Sequence, residues 1–187
     1  MIIKQFISLF ALALAFGAPP ALAADAPKEK PSKLASDSRA TLNKLYAQVP
    51  GAKAIGAKAV AVLVFPKVTK AGLMIGGQYG EGTLLKDGKA VGFYNTTGAS
   101  YGLQAGAQTY GYAMFFMNEK ALIQLNSMEG FEVGVGPSVV VMDEGMAKTT
   151  TTTTMKDDIY AFIFGQKGLM AGLGLQGNKI SKLQAGK

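Results

Sequence analysis

The chain has 187 residues, a formal charge of +7, 49% hydrophobic and 17% charged residues, and neither cysteine nor histidine. That length and composition support one domain with a proper core and exclude a disordered chain. Lack of cysteine excludes disulfides and a lipoprotein anchor, while lack of histidine removes the commonest metal ligand and general base, excluding zinc sites and Ser-His-Asp chemistry.

The positive charge is almost wholly lysine, with Arg39 the only arginine. Anionic lipid and cell-wall polymer are the matching partners. Nucleic acid ranks last, because an export signal is present and arginine and tryptophan are scarce or absent.

The N-terminus combines Lys4, an apolar run from Phe6 to Phe16 and the A-x-A site Ala21-Leu22-Ala23. Residues 1–23 thus read as a secretory signal peptide cut after Ala23, and the mature protein is expected to be periplasmic or secreted. No later segment is apolar for the roughly 18 residues that a membrane-spanning helix requires. Residues 24–31 read as a flexible arm.

Ser32 is expected to cap a helix running to about Gln48, with Leu34, Leu42, Leu45, Tyr46 and Val49 on one side and Lys33, Arg39 and Lys44 off it. Its stripe fits packing on a sheet better than insertion into a membrane. After Pro50-Gly51, a short helix over Ala52–Ala59 turns Ile55 and Ala59 inward and Lys53 and Lys58 outward.

Val60 to Phe65 is apolar on both faces and predicts a strand buried on both sides. Pro66 is expected to end it, leaving Lys67 and Lys70 to flank Val68 at its mouth, where two ammonium groups can meet an anion without being desolvated. Gly76, Gly77, Gly80 and Gly82 permit bulges and close backbone contacts. A β-hairpin turns at Asp87-Gly88, with Lys86 and Lys89 opposite one another.

Over Gly98–Met117, Gly102, Gln104, Gly106 and Gln108 share one face of an extended chain, and Tyr101, Leu103, Ala105 and Ala107 share the other, expected in the core. Gln104 and Gln108 make a candidate polar face, approached by either a ligand or another strand. Asn118 caps a helix over Glu119–Ser127. Strands are expected at Phe131–Val135, Ser138–Met142, Ile159–Phe164, Gly168–Leu175 and Ile180–Leu183, with a turn at Gly177-Asn178. Thr149–Thr154 suits an edge strand or a linker.

No catalytic constellation emerges. GGQYGEG lacks the lysine-serine ending and following helix of a phosphate loop. Glu81, Asp143-Glu144 and Asp157-Asp158 are scattered carboxylates with the spacing of a solvated surface, so no enzyme, cofactor or metal is expected.

Four segments, VLVFPKVTKAG (62–72), GGQYGEG (76–82), GASYGLQAGAQ (98–108) and FGQKGLMAG (164–172), resemble those of the SYLF domain family, in the family's order, within a stretch from about Leu42 to the C-terminus. The resemblance implies a lipid-binding module, with actin bundling in some eukaryotic members, and no enzyme. Phosphoinositides are not general bacterial lipids, so other anionic phospholipids are the natural targets of a chain with this signal peptide, and actin is not its expected partner.

These readings converge on one α+β domain over 32–187: a strongly bent, mainly antiparallel β-sheet or barrel-like core covered by N-terminal helices and one further helix. Its expected function is non-catalytic binding of anionic phospholipid membranes through Lys53, Lys58, Lys67, Lys70 and Lys167. The alternative is a small outer-membrane β-barrel or structural envelope protein.

Overall fold

A computed structural model describes residues 30–127, 131–142, 146–147, 155–168 and 177–183, except for the side chains of 73–74, 100–105 and 167–168. The signal peptide, most of the N-terminal arm, Asp143-Glu144, Thr149–Thr154 and nearly all of Gly168–Leu175 lie outside the described residues.

Helix α1 spans Pro31–Gln48 and α2 spans Pro50–Gly56. Each opens on proline, whose fixed φ and missing N–H suit the first helical position. The cap of α1 is therefore Lys30, with no side-chain capping bond, rather than the expected Ser32. Leu34, Ala35, Ser38, Leu42 and Leu45 form its buried stripe, and Ala52 and Ile55 that of α2. Lys33, Arg39, Lys44, Lys53 and Lys58 are exposed.

The sheet is built on one long hairpin. Strand β1, Ala61–Lys86, pairs antiparallel with β2, Lys89–Phe116, from Ala61 opposite Phe116 to Lys86 opposite Lys89. Asp87 and Gly88 turn it with φ of 50° and 73°, the two left-handed residues that a type I′ turn requires. Lys86 is relieved of facing Lys89 alone, because its Nζ donates to Glu119 Oε1 at 3.2 Å.

Pro66 does not end the strand. It sits in the register shift between Phe65 and Val68, where a bulge absorbs a residue that has no N–H to donate. A larger irregularity follows, since Leu73 faces Ala105 while Ile75 faces Tyr101. Two extra residues on β2 bend the hairpin at that point, and β1 doubles over its own first half. A Cβ on Gly82 would lie 2.6 Å from the Val64 carbonyl oxygen, and one on Gly80 2.7 Å from the Val68 side chain.

Other strands extend each half of β2. Strand β5, Ile159–Gly168, pairs antiparallel with Gln108–Phe116, and β6, Lys179–Lys182, pairs antiparallel with Tyr94–Thr97. Strand β3, Phe131–Glu132, joins β6 antiparallel, whereas β4, Val139–Met142, joins β5 in parallel. The result is a curled half-barrel in an α+β domain, antiparallel in every described pair but one.

Two cores follow from strict alternation along the first half of the hairpin. Ala61, Leu63, Phe65, Tyr112, Met114 and Phe116 point into the fold, against Leu84, Tyr94 and Ile180 of the second half. Val62, Val64, Ala113, Phe115, Tyr160 and Phe162 point outward and are covered by Leu42 and Leu45 of α1 and Ile55 of α2. The strand buried on both faces is thus as expected.

Helix α3, Glu119–Leu125, is capped by Asn118, whose Oδ1 accepts from the Ala121 N–H at 2.9 Å. It closes the inner core with Ala121, Leu122 and Leu125, and ends two residues before the expected Ser127. Strand β3 stops at Glu132, short of the expected Val135, because Gly134 and Gly136 adopt φ of 99° and 101° and leave the extended region.

Candidate functional site: lysines outside, a polar seam inside

The expected lysine group divides. Three residues apart in a strand means opposite faces. Lys67 and Thr69 are exposed on the side that carries α1 and α2, whereas Val68 and Lys70 turn inward. Lys70 is 6% exposed and stands directly across from Gln108. The expectation that it meets an anion at the surface without being desolvated therefore fails: its position in the pleat buries it. Lys53 and Lys58 are exposed on and just beyond α2. The Lys167 backbone pairs with Thr109, which pairs with Thr69, so Lys167 shares a cross-strand row two residues along from Lys67.

Gln108 also departs from expectation. It is buried and Ala107 is exposed, the reverse of the expected faces. The missed signal lies just downstream, where Tyr110, Tyr112, Met114 and Phe116 alternate into the core; extending that parity back by two residues puts Gln108 inside. Alternation projected from Tyr101 crosses the bend, where Gly106 has φ of 131°. The Gln104 side chain lies outside the described residues.

Tyr110, two residues along from the buried Gln108, belongs to a polar seam at the bent end of the inner core. The Tyr110 hydroxyl donates to Gln78 Oε1 at 2.9 Å, crossing from one half of the hairpin to the other. Gly98 keeps Gln78 and Asn178 close together, since a Cβ there would lie 2.4 Å from Asn178 Oδ1 and 3.0 Å from Gln78 Nε2. Gln78 Nε2, Gln108 Oε1 and Asn178 Nδ2 are buried without a hydrogen-bond partner. The Tyr112 and Thr96 hydroxyls are also buried and neighbour one another without reaching normal hydrogen-bond geometry.

The seam's phenols are not bases. Burial pushes Tyr110 up to about 12 and Tyr112 further still. Tyr79 is also raised to about 12, first by burial and then by Glu81, whose Oε1 accepts from its hydroxyl at 2.7 Å. All three are neutral donors or acceptors at physiological pH.

The carboxylate pair Asp157-Asp158 is structural at its second member. Asp158 Oδ1 accepts from Asn118 Nδ2 at 2.8 Å and its Oδ2 from the Ser138 N–H at 3.0 Å, tying the cap of α3 to the entry of β4. Among the described residues no group of histidine, cysteine or carboxylate side chains converges on a metal site, and no helix is long and apolar enough to cross a membrane.

Residues 97–185 match the family model Ysc84, described as Las17-binding protein actin regulator. The GASYGLQAGAQ and FGQKGLMAG segments fall inside the match, whereas VLVFPKVTKAG and GGQYGEG precede it. No curated protein matches the chain.

Proposed function

We propose that this protein is a non-catalytic module that binds anionic phospholipid head groups at a membrane surface, a reading supported by the match of residues 97–185 to the Ysc84 family, the family of the SYLF domain. Lys53, Lys58 and Lys67 are its contacts, and Lys167 lies in the cross-strand row two residues along from Lys67. Lys70 is not among them. The observation that carries this reading is the exposure of three lysines on the helix-bearing side of a fold whose fourth candidate lysine is turned into the core.

Each lysine near an anionic bilayer contributes about 1 kcal/mol, so three or four hold the protein reversibly and release it as salt rises. The signal-peptide sequence puts this membrane in the cell envelope, with the protein peripheral on it. An outer-membrane barrel fits less well, because the outer face of the first half of the hairpin is packed under helices instead of presenting an apolar band to lipid.

Liposome co-sedimentation of residues 24–187 tests the proposal. Binding is expected on vesicles containing phosphatidylglycerol, weak on purely neutral vesicles, and reduced at high salt. Changing Lys53, Lys58 and Lys67 together to Gln should abolish the difference between vesicle types. Equal binding to both by the unaltered protein would refute the reading.

A further inference from the structure

A cavity of about 480 Å³ lies between α1, the end of α2 and the tip of the hairpin. Its apolar wall includes Leu42, Val60, Val62 and Leu85, and its polar side includes Arg39 and Asp87. The volume suits a small amphiphile. Arg39 Nε donates to the Gly88 carbonyl at 3.0 Å, which fixes the chain's only arginine beside the turn that also carries Asp87. A cation and an anion thus border one cavity whose remaining lining combines the polar Asn43 and Tyr46 with the apolar Leu42, Val60, Val62 and Leu85.

We propose that this cavity holds one zwitterionic phospholipid of the phosphoethanolamine class. The guanidinium takes the phosphate, the Asp87 carboxylate takes the ammonium, and the start of the acyl chain lies along Leu42, Val60, Val62 and Leu85. A purely anionic head satisfies Arg39 but faces Asp87 with like charge, and a neutral head leaves both charges without a match. That the ligand is a lipid rests on the function proposed above. The site and its selectivity do not use the exposed lysines. The lysine surface accordingly supplies attraction to a charged bilayer, while the cavity selects a single molecule from it.

The test is calorimetric titration of residues 24–187 with monomeric lysophosphatidylethanolamine or lysophosphatidylglycerol, below the concentration at which either forms micelles. The unaltered protein should prefer the ethanolamine lipid. Asp87→Asn retains a residue that tolerates the left-handed φ of 50° and should remove that preference while leaving the fold intact. Arg39→Gln should weaken both lipids by about tenfold or more, the value of a charge-assisted hydrogen bond. An unchanged preference in Asp87→Asn, or no binding of either monomer by the unaltered protein, overturns the proposal. The Lys53/Lys58/Lys67 variant keeps the two readings apart: it should bind monomeric lipid normally even where it fails to sediment with anionic vesicles.

Discussion

Tyr110 and Gln78 are 32 residues apart in sequence and belong to opposite halves of the doubled hairpin, yet the tyrosine hydroxyl reaches the glutamine carbonyl at 2.9 Å. Tyr112, two residues on, carries its hydroxyl into the same core without a hydrogen-bond partner. The two phenols therefore respond differently to loss of the oxygen. Tyr110→Phe should destabilise the fold by about 1 kcal/mol, a typical net hydrogen bond, whereas Tyr112→Phe should be neutral or stabilising, because it removes a desolvated polar group and keeps the ring. Urea unfolding of the two variants decides it, and a larger loss in Tyr112→Phe would contradict the assignment.

The doubling of β1 depends on missing side chains. Gly82→Ala would place a methyl 2.6 Å from the Val64 carbonyl oxygen and 2.7 Å from the Phe65 ring, both in the most buried part of the strand. Backbone and a packed ring cannot give way cheaply, so a loss of roughly 1–3 kcal/mol is expected. Gly77→Ala is the control, since the nearest atom to a Cβ there is 3.9 Å away. Similar melting temperatures for the two variants would mean that the halves do not press together at Gly82.

The same glycines explain what could be read from the sequence. The two-faced strand, the Asp87-Gly88 turn and the Asn118 cap are local signals, fixed by alternation, left-handed φ and one side-chain acceptor, and each stands where it was expected. A sharply bent sheet was also legible in the density of glycine. What was not legible was where alternation would be interrupted. Pro66 was expected to end the strand and leave Lys70 at its mouth, but a bulge carries the pairing past it and Lys70 is buried, and the alternation projected from Tyr101 does not survive the bend, so Gln108 is buried as well. The seam was harder still to see, because Gln78, Tyr110 and Asn178 meet only after the hairpin has doubled over.

Asp158 should make stability sensitive to acid. Its carboxyl is held below the ordinary value, first by the hydrogen bond from Asn118 and next by the Ser138 N–H. A folded pKa below the unfolded one gives a contribution that is complete above about pH 4 and lost as pH falls through the folded value. The melting temperature of the unaltered protein should thus exceed that of Asp158→Ala at neutral pH, with the gap narrowing in acid below the ordinary carboxylate range. A gap that holds constant into acid would show that the charge on Asp158 contributes nothing.

Lys67 and Lys70 provide the most direct separation of surface from core, because they are three residues apart and one is exposed while the other is 6% exposed. Lys67→Gln removes a charge that water already solvates. It should leave the melting temperature within error and weaken sedimentation with anionic vesicles by about fivefold, corresponding to about 1 kcal/mol per lysine at a charged surface. Lys70→Gln shortens a buried side chain across from Gln108 and disturbs the packing and polar contacts around it. It should cost roughly 1–3 kcal/mol in unfolding while the folded fraction binds vesicles as before. Measuring both quantities on both variants gives a crossed result if the pleat orients these lysines as described. Loss of vesicle binding in Lys70→Gln at unchanged stability would instead return Lys70 to the membrane-facing surface.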